Sequence, residues 1–306
     1  MGGLFSRPAC LLAAFLAALP VQAQLTLDQI LSRVAEEASV LEEKAPLALT
    51  QETLEQRTVM PPQRFHPRLG AAAKPQTRLQ VREVVSEYSV GPLKNSPSHD
   101  LYEFRQVISV DGRPVQSEES ARHALSLGLR SADDRIRKRM LEDFAKHGLV
   151  DVATDYGMIL LAFTRRGQAQ MQIGLKGEST VGTDPVVALD WRQTTAAGGE
   201  LAFHGRVAAR HPLQGILWVR KSDGLPVRIQ TWADYLAPGQ VIRDEATIDY
   251  VMSSHGFLAP VSVVHRHLVN QHLVTENLYH YAPFKLFSAD ADIKFTTIPD
   301  EAAPKK

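Results

Sequence analysis

Four residues near the C-terminal end of the sequence have the types and spacing to hold a metal ion. His265-Arg266-His267 reads as part of a strand, so its two imidazoles project from one face. If Asn270-Gln271 forms a hairpin tip, Val269 pairs with His272, His267 with Val274 and His265 with Glu276. His280 then lies further along the same face. Two histidines, a carboxylate and a third histidine could bind zinc or another divalent cation. The competing reading is that these are ordinary hydrogen-bonded strand residues. Val261, Val263, Val274 and Leu278 share the face, and a slip of one residue would carry Glu276 to the other side.

No other pattern calls for chemistry. The sequence has no serine-hydrolase elbow, phosphate-binding loop or dinucleotide glycine fingerprint, so no catalytic residue is assigned and no cofactor is expected. Asp111-Gly112 and Asp223-Gly224 read as turns. The aromatic residues Trp191, Trp218, Trp232, Tyr250, Tyr279 and Tyr281 fall in or beside strands, where they could be sheet core or line a cavity. Trp191, Trp218, Val263, Val274 and Leu278 are the candidate wall for an apolar ligand.

Several elements must position these residues. The longest strand signal runs from Gly215 to Phe287. At the other end, Arg7 precedes an apolar run from Cys10 to Leu19, then Pro20 and Val21-Gln22-Ala23, the pattern of a cleavable export signal with cleavage after Ala23. The run is shorter than the roughly 20 residues a permanent spanning helix needs. Thr26 and Gln29 form a capping box for an amphipathic helix ending before Pro46. Leu47–Val59 reads as strand, although Thr50–Arg57 could also be helical. Prolines 61, 62, 67 and 75 mark an extended loop, and strands are expected over Leu79–Val90 and Tyr102–Val110.

A helical insertion is expected from Ser117 to Gly148, with Ser131 capping its second half and Ile136, Met140 and Phe144 on one face. The Arg135, Arg137, Lys138 and Arg139 cluster reads either as an anion-binding patch or as a solvated face paired with nearby acids. Residues 155–163 are a buried strand or short buried helix. Gln168–Leu175 and Val186–Arg192 read as strands, and Thr194–Pro212 as a polar loop. The sequence holds 34 basic and 34 acidic residues, a balance that excludes the usual nucleic-acid binder. Cys10 is its single cysteine, so a chain cleaved after Ala23 has no disulfide framework.

The order of these pieces carries a resemblance. Phe104-Arg-Gln-Val-Ile-Ser-Val-Asp-Gly-Arg-Pro-Val leads into the helical insertion, and Gly215-Ile-Leu-Trp-Val-Arg-Lys-Ser-Asp-Gly-Leu-Pro-Val-Arg is followed by Gly256-Phe-Leu-Ala-Pro-Val-Ser-Val. The chain resembles bacterial secreted proteins with a sheet similar to the LolA/LolB lipoprotein-carrier superfamily. The resemblance implies an α+β fold: an incomplete, strongly curved antiparallel β-barrel wrapped around an N-terminal helix and an inserted helical segment. It implies one domain over residues 24–298, and the Ala-Ala-Pro-Lys-Lys end reads as a disordered tail over 299–306. With the export signal, it points to a periplasmic or secreted, non-enzymatic protein whose partner is a lipid or lipoprotein acyl chain, or else another envelope protein; the remaining alternative is a metal-dependent envelope enzyme using the histidine face. The large insertion departs from the small carriers.

Overall fold

The computed structural model describes residues 25–60, 77–93, 101–131, 133–150, 156–195, 200–204, 207–237 and 239–287. The expected leader with its cleavage after Ala23, the proline-rich stretch from Pro61 to Pro75 and the tail 299–306 lie outside those residues.

Helix α1 (Leu27–Lys44) starts where the capping box places it: the Thr26 hydroxyl accepts from the Gln29 amide, and the Gln29 side chain accepts from the Thr26 amide. Its buried stripe is Ile30, Val34, Ala38 and Leu41, spaced three or four apart. A 3-10 turn at Ala45–Leu47, with Pro46 inside it, delivers the chain into β1 (Ala48–Met60). The Thr50–Arg57 stretch is therefore strand, with Glu52, Leu54, Gln56 and Thr58 alternating onto the buried side. Strands β2 (Arg78–Pro92), β3 (Leu101–Val110) and β4 (Arg113–Pro114) come next, the last two joined by Asp111 and Gly112 at positive φ.

The insertion forms α2 (Glu118–Arg130) and α3 (Asp134–Ala145). The cap of α3 is Asp133 rather than Ser131. Ile136 is largely exposed, whereas Met140 and Phe144 are buried. Arg137 departs from the solvated-face reading. It is buried, pairs with Asp134 and donates to the Leu129 and Ser131 carbonyls, closing the C-terminal end of α2. A 3-10 segment, Tyr156–Phe163, precedes α4 (Arg165–Gln168), β5 (Met171–Val181) and β6 (Asp184–Gln193). The expected polar loop contains a hairpin, β7 (Glu200–His204) and β8 (Val207–His211). The chain then builds β9 (Gln214–Arg220), β10 (Pro226–Ala237), β11 (Gln240–Met252), β12 (Leu258–Val269), β13 (His272–Tyr281) and β14 (Lys285–Leu286).

The main sheet has twelve strands in the order β4-β3-β2-β1-β13-β12-β11-β10-β9-β6-β5, with β14 on β1. Every pairing is antiparallel, and β4 and β5 stand at opposite ends, so the curved sheet does not close. The filling of the sheet differs from the sequence expectation. α1 and the Tyr156–Phe163 segment share the main core with Leu54, Leu189, Leu217, Ile229, Ile248 and Val263. The insertion instead builds a smaller cluster of Phe104, Leu125 and Met140 against β3, and reaches the main core through Phe144.

Candidate functional site

The expected hairpin tip is present, with Asn270 and Gln271 at φ 49° and 67°. Val269 pairs with His272 as expected, and Leu268 with Leu273. A bulge comes next, because His267 pairs with Thr275 and leaves Val274 as an extra residue on β13. Everything beyond it shifts by one. His265 stands opposite Asn277, and Glu276 stands opposite Arg266. His265 is buried on the inner face. Glu276 is on the outer face, where Arg266 donates to it at 2.8 Å and Arg57 lies 3.6 Å away. His280 is exposed between Thr53 and Ser262. The four residues thus do not form one site, and no group of three or more metal-binding side chains with suitable geometry occurs among the described residues.

The same shift divides the candidate apolar wall. Val263 and Trp191 are buried in the core, and Trp191 meets Phe163 edge-on at 5.1 Å between ring centroids. Val274 and Leu278 alternate with the buried Thr275, Asn277 and Tyr279, so they belong to the outer face. Trp218 is also outside, since its neighbours Leu217 and Val219 are the buried ones. The inner surface is apolar along β6, β9 and β10, but polar residues line it across β1, β13, β12 and β11.

Two networks occupy that polar strip. In the first, Gln56 holds both backbone groups of Val150 at 2.8 Å and donates to Asn277 at 2.6 Å. Asn277 donates in turn to His265 Nδ1 at 3.0 Å. That assignment leaves the proton on His265 Nε2, which lies 3.5 Å from Asp244 Oδ1. His267 Nδ1 approaches the same oxygen at 2.6 Å, and Tyr235 donates to Oδ2 at 2.6 Å. Burial alone would raise the Asp244 carboxyl. The close approach of His265 Nε2, the hydrogen bond and charge of His267 and the Tyr235 hydroxyl outweigh it and hold the group below the usual carboxylate range. The ring of Tyr156, at the start of the 3-10 segment, stacks on His265 at 5.2 Å, and His211 stacks on Tyr235 at 4.0 Å.

The second network centres on Arg105. Its guanidinium bonds both Glu52 oxygens at 2.6 and 2.7 Å and Glu103 at 2.7 Å, and all three side chains are essentially without solvent contact. The rings of Tyr88 and Phe144 each lie 5.0 Å from its central carbon. Burial would lower the Arg105 pKa, but Glu52 and Glu103 hold it well above the ordinary value. Burial, reinforced by the same two carboxylates, pushes Tyr281 far up, and burial with Glu103 does so for Tyr88. Gly157 sits directly on this cluster. A Cβ there would stand 2.9 Å from Glu103 Oε1 and 3.2 Å from the Tyr281 hydroxyl.

Sequence reasoning found His265 and Val263 but not Asp244, Tyr235, Arg105, Glu52 or Glu103. The available signal was Glu52, Gln56 and Thr58 in phase with Leu54 on a strand. Exchange of Asp244 for asparagine tests the first network. The folded carboxyl titrates below its unfolded value, so its stabilisation is present above about pH 4 and fades as pH falls below that. Urea unfolding is expected to show Asp244→Asn about 1–3 kcal/mol less stable at pH 7, with the gap closing toward pH 3. A gap independent of pH would contradict the assignment.

No family model matches the chain, and no curated protein matches it. Solved structures do. A LolA superfamily protein of Nitrosomonas europaea has 12% identity and a TM-score of 0.29, the alignment covering 84% of this chain and 93% of that one. An outer membrane lipoprotein-sorting protein domain of Vibrio parahaemolyticus has 9% identity and a TM-score of 0.33, covering 85% and 92%. A DUF1329 family protein of Desulfovibrio piger has 10% identity and a TM-score of 0.32, covering 85% and 94%. These are likenesses at low identity, and the fold described above rests on this chain's own strand pairings: an open antiparallel sheet with a few helices. Among the described residues, no helix is long and apolar enough to cross a membrane.

Proposed function

We propose that this chain is an exported, non-catalytic binding protein of the cell envelope, in which the Tyr156–Phe163 segment holds the place of an apolar ligand on the concave side of the sheet. The carrying observation is the segment itself. Tyr-Gly-Met-Ile-Leu-Leu-Ala-Phe contains no charged residue, and Leu160 and Phe163 are wholly buried against the sheet. Its backbone is a 3-10 helix of eight residues, longer than such helices normally run, which marks it as a segment held by its surroundings. The Tyr250 hydroxyl clasps it, accepting from the Leu160 amide and donating to the Gly157 carbonyl. Displacing it would uncover Trp191, whose ring meets Phe163 edge-on.

Gentle purification from an envelope fraction followed by native mass spectrometry tests the proposal. The expected result is a lipid or fatty acyl species bound in part of the population. In vitro, the delipidated chain should take up a fluorescent fatty acyl probe. A clean spectrum together with no probe uptake would end this reading.

A second reading has its own observation. The concave side is already packed, and the segment rests on the buried Arg105 cluster as well as on apolar side chains. On this reading the chain is an interaction scaffold of the envelope, whose partner binds outside the sheet. A specific protein captured by the tagged chain, with no probe uptake, would favour it.

A further inference from the structure

A groove of about 420 Å³, open to solvent, lies where the 3-10 turn after α1, the C-terminal end of α2 and β14 meet. It is outside the main core and does not depend on whether Tyr156–Phe163 moves. Its volume falls within the range of ordinary small-ligand sites. Leu47, Leu129, Leu286 and Phe287 form its apolar lining, and Leu47 and Leu286 are 58% and 47% exposed. Two polar side chains, Ser126 and Arg130, stand one turn apart on α2 at the same groove, and among the described residues no acidic one lines it.

Arg130 is the informative residue. A basic side chain in the last turn of a helix commonly serves that helix's free carbonyls. Here Arg137 already performs this, donating to the Leu129 and Ser131 carbonyls. Among the described residues Arg130 itself makes no hydrogen bond or ion pair, although most arginines of the sheet are paired with carboxylates. An exposed guanidinium therefore borders an apolar trough with no carboxylate partner among the described residues. We propose that this groove binds a single-chain aliphatic carboxylate, its chain along Leu47, Leu286 and Phe287 and its head group on Arg130. A guanidinium suits a carboxylate by its fork of donors, and no acidic lining among the described residues contests the charge match.

Calorimetric titration of the full chain with decanoate, with decylammonium as the opposite-charge probe, tests this. The wild-type chain should bind decanoate and bind decylammonium at least tenfold more weakly. Arg130→Glu should weaken decanoate about tenfold, the loss of one charged contact, and improve decylammonium. Leu286→Gln, which removes apolar lining without adding charge, should weaken both. Decanoate binding unchanged in Arg130→Glu would overturn the proposal and assign the ligand to another place, including the concave side. No decanoate binding by the wild-type chain would also overturn it, while leaving the concave-side reading to its own test.

Discussion

Substitution of Arg105 by leucine is expected to remove about 3–5 kcal/mol of stability, enough to unfold a marginal domain. The reason is the pair of acids it would strand. Glu52 and Glu103 are buried on separate strands of the sheet, and the guanidinium is the cation between them. Without it, two carboxylates face each other in a dry interior, and each must take up a proton or force water in. The pH dependence identifies this cause. A carboxyl with a folded pKa raised above the unfolded one binds protons more tightly in the native state, so stability falls as pH rises. Arg105→Leu should therefore be more stable at pH 5 than at pH 7 in urea unfolding. A triple exchange, Arg105→Leu with Glu52→Gln and Glu103→Leu, should recover much of the loss, because removing all the charges leaves none to compensate. A single variant as stable as wild type at pH 7, or a triple variant worse than the single one, would show that the cluster is not held by charge.

That cluster also explains why the inner wall is hidden in the sequence. The capping box at Thr26 and Gln29, the hydrophobic spacing of α1 and the Asn270-Gln271 tip are local signals, decided by residues close together in the chain, and the structure places each where those residues point. The unclosed antiparallel sheet is built from many such local strands. The inner wall is not local. Glu52, Gln56, Arg105, Asp244 and Asn277 look like outward-facing strand residues, since alternation is normally scored on apolar side chains. Their burial is set by partners as far as 12 to 221 positions away along the chain. A single bulge at Val274 has the largest consequence for the candidate site. It leaves the alternation of β13 intact yet turns Glu276 from the histidine face to the arginine face. No residue type near Val274 announces it. The β7–β8 hairpin is illegible for another reason: strands of five residues are too short for period to separate them from a loop.

Phe163→Ala is expected to cost about 3–5 kcal/mol, since the ring is wholly buried and removing it leaves a cavity beside Trp191. The cavity itself is more informative than the size of the loss. An apolar cavity stays dry and accepts a small apolar molecule. Benzene should then raise the melting temperature of Phe163→Ala, by an amount that grows with its concentration, and leave the wild-type chain unchanged. The fatty acyl probe divides the two functional readings. If Tyr156–Phe163 is a displaceable stand-in, loosening it should tighten probe binding several-fold over wild type, because less native packing has to be broken for the ligand to enter. If the segment is permanent core, the variant should accept benzene but not the longer probe, and Phe163 will have been a packing residue throughout. Probe binding that weakens in Phe163→Ala would contradict the stand-in reading, since the ring would then be part of the ligand's own wall.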